Sequence, residues 1–267
     1  MKDVKPGPPG PWSPYRWEIM RKIGNLGLQR GDIAVRLGNA TVTKPLGDLM
    51  ELGQEVLDAI GIPDHINVAL RKGGIQAVPL QVTIPFSSII AATSGSEYSH
   101  AAMVLDGGQD PLMLEVGPNG MGRLFFREWL DDIRGNDVLF LRYCAPDAAS
   151  VISKVSGLIL VELDRDPDYN SDFSLSPERL YCVQLPYLLY ERAGASLGNP
   201  TRFCDLPGWS MVSELVALAG NINRETPVYH VGNSREGLLS SSKLKVSAKI
   251  SIHDGVLLVE RSSWTLE

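Results

Sequence analysis

The chain has 267 residues, 44% hydrophobic and 21% charged, with a formal net charge of −6 and a pI near 5.3. That composition supports a sizeable buried core, while the acidic balance excludes nucleic acid or an anionic membrane held by bulk electrostatics. No apolar run nears the ~20 residues of a membrane helix, and the Pro/Gly-rich opening, residues 1–17, lacks an apolar segment of the signal-peptide kind. The expectation is a chain that starts in the cytosol, any export requiring a dedicated secretion apparatus.

In chain order, Gly31 to Leu37 alternates apolar and polar residues as a half-buried strand does. Leu46, Leu49, Met50, Gly53, Val56, Leu57 and Ile60 recur at helical spacing and predict an amphipathic helix, closed by Gly61 and Pro63. Gly73 to Phe86 reads as extended and Ser87 to Thr93 as a short helix. Ala101 to Leu105 and Pro111 to Val116 predict a hairpin around the loop Asp106 to Asp110. Gly117 to Gly122 reads as a turn, Phe125 to Ile133 as a short helix, and Val138 to Tyr143 as a third strand of the same meander. Asp147 to Leu160 predicts a helix, Asp164 to Asp172 a polar loop, and Cys182 to Ala193 another helix. One more helix is expected over Trp209 to Ala219, then strands at Val246 to Ile252 and Val256 to Val259. Strands in succession flanked by helices predict an α+β fold with a mostly antiparallel sheet. The domain expectation is a single unit over 1–267, with a helical insertion at 40–80 and a C-terminal extension from about 195.

Three cysteines, Cys144, Cys182 and Cys204, support neither a disulfide framework nor a zinc knuckle. The sequence has no phosphate-binding loop and no G-x-S-x-G elbow. His65, His100, His230 and His253 are scattered without metal-ligand spacing, so neither metal nor cofactor is expected.

Cys182 stands out by position. Pro186 deep in a helix would cost ~3 kcal/mol, but it is tolerated in a first turn. The helix is therefore expected to begin at about Cys182, where the dipole favours a thiolate. The plainer reading is a core cysteine on the stripe with Leu185 and Leu189. His100 opens an apolar strand after a small polar turn. A hairpin centred at Gly107–Gly108 sets it near Glu115, which could orient the ring. The plainer reading there is a cross-strand polar pair.

The order of these segments resembles the circularly permuted, YiiX/YebB-like branch of the NlpC-type papain-like cysteine hydrolases. The matching stretches are Gly31 to Arg36, Ser87 to Leu105 with T-x-x-S-x-Y-S-H, Leu114 to Gly120 with E-V-x-P-x-G, and Asp168 to Ala193 with D-Y-N-x-D-F and L-Y-C. Segments 40–80 and 200–230 are not covered. The family reads C-S-E-L-V at its nucleophile, whereas Val183, Gln184, Leu185 and Pro186 follow Cys182 here. The resemblance implies a papain-like fold with Cys182 as nucleophile, His100 as base and Glu115 as orienting residue. Tyr98, Ser99 and Tyr181 flank these positions and could line the cleft, although packing explains each of them. The implied reaction is amide cleavage, first of all in peptidoglycan stem peptides. Lipid-directed amidase, esterase or acyltransferase action is the second reading. A non-catalytic binding module is the third, and a binding module needs no such set of residues.

Overall fold

The computed structural model describes residues 26–45, 81–84, 86–131, 137–176, 178–210, 222–253 and 256–261, with the isolated positions 21, 22, 24, 213 and 216. The helix expected over Leu46 to Ile60 lies outside them, as do the first half of the stretch from Gly73 to Phe86 and most of that from Trp209 to Ala219.

The strands are β1 (Ile33–Arg36), β2 (Val42–Pro45), β3 (Gln81–Ile84), β4 (His100–Asp106), β5 (Leu112–Gly117), β6 (Gly120–Phe125), β7 (Val138–Tyr143), β8 (Asp168–Tyr169), β9 (Arg179–Leu180), β10 (Thr201–Arg202), β11 (Pro227–Val228), β12 (Leu244–His253) and β13 (Val256–Arg261). The α-helices are α1 (Phe86–Thr93), α2 (Phe126–Asp131), α3 (Ala148–Arg165) and α4 (Gln184–Arg192). Seven strands form one antiparallel sheet in the order β13-β12-β7-β1-β4-β5-β6. This is the expected α+β class. Among the described residues no helix is long and apolar enough to cross a membrane.

β1 lies between two neighbours, and all four of its residues are buried. Strand alternation sends Ile33 and Val35 into a core shared with α1, α3 and α4. Ala34 points to the other face, where Phe126, Trp129 and Phe140 pack. At the head of β1, Asp32 accepts from Arg142 Nε at 2.8 Å and Nη2 at 2.7 Å, and from the Gln29 N–H at 2.9 Å. Asp32 is a structural clasp between β1 and β7. On α3 the buried side chains Val151, Val155, Ile159 and Glu162 follow helical spacing. Glu162 is fully enclosed and ion-paired with both Arg165 of its own helix and Arg192 of α4.

Three expectations need correction. β7 is not part of the β4–β5 meander; it pairs with β1 and β12, and β6 is the third strand of the meander. Strand order is set by contacts remote in sequence, which local patterning does not carry. Phe125 belongs to β6, so the following helix begins at Phe126. The loop expected from Asp164 is helical as far as Arg165, where Asp166 ends α3 in the left-handed conformation.

Candidate active site

Cys182 lies just before α4, one residue ahead of the capping position Val183. The helix thus starts two residues later than expected, and Pro186 falls at its third position, where no intrahelical N–H is needed. Cys182 is 7% exposed, and its sulfur lies 3.8 Å from the Ser99 carbonyl oxygen. Ser99 immediately precedes β4, so that strand delivers His100 alongside.

Hairpin register decides how His100 meets Glu115. The residue opposite Glu115 is Ala102, not His100, and the pairing shifts between Val104 and Asp106. An offset of two keeps the side chain on the same face, and the diagonal contact is made: His100 Nε2 and Glu115 Oε2 are 2.8 Å apart. Nδ1 is then the ring nitrogen left to face Cys182, whose charge acts on the imidazole. The structure thus bonds His100 to Glu115 and sets both beside Cys182, close enough for each to shift the others.

Each member shifts the others. Burial opposes charge on His100, but the Cys182 thiolate and the Glu115 carboxylate outweigh it and raise the ring to about 9. For Cys182 burial pushes upward, and the imidazolium, with the N–H groups of Ala101 and Val183, pulls the thiol below its ordinary range. Glu115 is likewise lowered: burial is outweighed by the bond and charge of His100, then by Arg36 and by Trp129.

Sequence reasoning missed the supports of Glu115. Trp129 Nε1–H donates to Glu115 Oε2 at 2.9 Å, and the Arg36 guanidinium stacks 4.7 Å over the Trp129 ring. It also passed over Tyr169, whose phenol is pushed above its ordinary range by burial and by the Cys182 charge. Tyr169 was visible as the Tyr of the D-Y-N segment. Trp129 gave no local signal, because it meets Glu115 only once α2 folds against the sheet.

Tyr98, Ser99 and Tyr181 are all buried and line one cavity with Ile90, Val183 and His230. Ser99 Oγ accepts the Gly38 N–H at 3.1 Å, and Tyr181 Oη accepts the Tyr229 N–H at 2.6 Å. These are packing and turn contacts as well as a cavity wall.

No family model matches the chain, and no curated protein does. Among solved structures, YiiX from Escherichia coli, described as a metalloprotein, superposes with a TM-score of 0.54 at 17% identity, over 81% of this chain and 94% of YiiX. Identity that low speaks for architecture alone, and the chain has a YiiX-like fold.

Proposed function

We propose that the chain is a cysteine hydrolase or acyltransferase acting on an amide or ester, with Cys182 as nucleophile, His100 as acid–base and Glu115 as the residue that orients the ring. The observation that carries this reading is the position of His100 between the Cys182 thiol and Glu115, with Nε2 committed to Glu115 at 2.8 Å. A packed core cysteine needs neither a charged imidazole nor a carboxylate behind it. The Cys182 sulfur attacks the carbonyl carbon, and the π electrons move to oxygen. Collapse breaks the bond to the leaving nitrogen or oxygen, which takes the proton from His100. Water, or an acceptor alcohol or amine, then gives its proton to His100 as it attacks the thioester and frees Cys182. The backbone N–H of Cys182, ahead of α4, is the natural donor to the oxyanion.

The papain-like ancestry implied by the sequence belongs to this proposal, as does the substrate. Peptidoglycan stem peptides are the first substrate class to test. The cavity beside Cys182 favours the second class, an apolar acyl group, since among the described residues no Asp, Glu, Lys or Arg lines it. The description of YiiX as a metalloprotein adds no step. Among the described residues no group of three His, Cys, Asp or Glu side chains could hold a metal, and His100 Nε2 is already committed to Glu115.

Incubation with purified peptidoglycan and with a lipid panel, read by mass spectrometry, tests the proposal. The expected result is a thioester adduct on the Cys182 peptide and product formation that stops in Cys182→Ala. Turnover by Cys182→Ala, or an adduct on Cys144 or Cys204, would overturn it.

A further inference from the structure

His230 is an exception to the rule that buried polar atoms find partners. It is 5% exposed, and neither ring nitrogen has a hydrogen-bond partner among the described residues. Each nitrogen exposes less than 1 Å² of surface, and the space that the residue lines is about 20 Å³, room for about one water. The ring is wedged in place. A Cβ on Gly232 would stand 3.0 Å from Nδ1, and one on Gly237 would stand 2.9 Å from Cε1. The wall around it is mostly apolar, with Ile90, Phe203, Leu206, Val228 and Val231. A neutral ring is tolerated there. A protonated one would bring a charge and a second N–H into a site with no acceptor for either among the described residues.

The segment that carries His230 straps down the start of α4. The Leu238 and Leu239 N–H groups donate to the His230 and Val231 carbonyl oxygens, both at 3.1 Å, and close the strap on itself. The Tyr187 hydroxyl of α4 donates to the His230 carbonyl at 3.2 Å and to the Glu236 carbonyl at 2.6 Å. The Tyr229 N–H donates to Tyr181 Oη at 2.6 Å. Tyr181 immediately precedes Cys182, so the strap holds the chain on both sides of the nucleophile.

Few groups there respond to acid. Tyr98, Tyr181 and Tyr229 line the wall, and burial raises these phenols and that of Tyr187, so all four are uncharged in neutral and acidic solution. α1 and the turn after it present Ile90 and Ser94, and residues 203–206 present Phe203 and Leu206. Burial opposes charge on the ring, Glu236 of the strap favours it, and burial wins: the ring is lowered from 6.5 to about 4.

We infer that residues 229–239 form an acid-released latch over the Cys182 centre, held shut by a neutral His230 and opened when that ring takes up a proton. The latch stands without the hydrolase reading; its bearing on turnover rests on that reading. Once the strap lifts, the ring reaches water and titrates as an ordinary histidine, so the lifted form binds the proton first. By linkage the advantage of the closed form is full above 6.5. It falls tenfold per pH unit down to about 4, where the closed form is protonated too. Acid thus frees Tyr181 and Tyr187 from the strap and loosens the segment that presents Cys182.

The test is amide hydrogen exchange in the full chain from about pH 7 to 4.5, read by NMR and corrected for the chemical exchange rate. Leu238 and Leu239 should be less protected at every pH than Val104, whose N–H donates to the Asp32 carbonyl within the sheet. That difference marks local release rather than global unfolding. Their protection should fall on the order of a hundredfold across the range. The fall should vanish in His230→Phe, and in His230→Gln should the phenylalanine variant not fold. In the native chain the His230 Cε1–H resonance should titrate near 4. Strap protection equal to that of Val104, a fall that persists in the folded variants, or a native ring titrating near 6.5 would overturn the latch. Acid release of the strap in a chain that turns over no amide or ester would sink the hydrolase reading and leave the latch standing.

Discussion

At His100 the contest between burial and two negative neighbours decides how the site titrates. The ring is raised to about 9 from the ordinary 6.5, so its contribution to stability is full below the ordinary value and is lost as pH rises through about 9. Cys182 runs the other way. Its thiol is lowered from 9.0, so its contribution is present above the ordinary value and is lost as pH falls through the lowered one. The thiolate–imidazolium pair therefore spans the neutral range. Iodoacetamide at neutral pH should label Cys182 faster than the more exposed Cys144 and Cys204. The rate should drop in acid, and His100→Ala should move its midpoint upward; labelling led by another cysteine would contradict the pairing. His100 and Trp129 both bond to the same oxygen, Glu115 Oε2. The side-chain carbonyl of a glutamine can receive both, so Glu115→Gln should keep part of the turnover that His100→Ala loses almost entirely. Without the carboxylate charge the imidazole titrates lower, and the basic limb of the pH–rate profile should move down; equal loss in both variants would refute an orienting role. Trp129→Phe removes one bond to a charged acceptor, worth roughly 1.5–3 kcal/mol, and should lower kcat more than it raises KM. Cys182, His100 and Glu115 were legible because each has a local signature: a helix start, a strand opening, a hairpin mate. Trp129 and Arg36 were not, since their roles exist only across elements.

Register shows why a small error at the level of elements did no harm. Placing the hairpin tip at Gly107–Gly108 set His100 opposite Glu115; β4 in fact runs to Asp106 and β5 begins at Leu112, which moves the pairing by two. An error of one residue would have turned Glu115 to the opposite face. β6 escaped notice because Gly120 and Gly122 and the lack of β-branched residues hide its pattern. The end of α1 shows a constraint invisible in sequence. A Cβ on Gly232 would lie 2.0 Å from the Ser94 carbonyl oxygen, so the chain after β11 grips α1 at a position only glycine fits. Gly232→Ala should destabilise the protein by at least about 1–3 kcal/mol, measured by denaturant unfolding; an unchanged midpoint would show the loop yields freely. Glu162 joins α3 to α4 through Arg165 and Arg192. Arg192→Ala should cost less than the ~3–5 kcal/mol of breaking an isolated buried pair, because Arg165 remains; a variant as stable as the native chain would mean the inter-helix pair adds nothing.

Across the whole molecule the YiiX-like sheet gathers strands from both ends of the described chain. β1 is made first among them, yet its two neighbours are β4 and β7, completed only at Asp106 and Tyr143, and the sheet closes with β13 at Arg261. Such distant pairings make loop closure slow relative to local structure. A ribosome therefore releases a strand with no mates, and His100 and Glu115 can pair long before Cys182 has been synthesised. Until α4 docks, the thiol has no imidazolium beside it and reacts as any free cysteine does. The same contact that lowers the Cys182 thiol thus dates its own assembly. In a refolding reaction sampled with brief iodoacetamide pulses at neutral pH, accelerated labelling of Cys182 should appear with the closing of the sheet and no earlier, a chemical clock for the final step of folding.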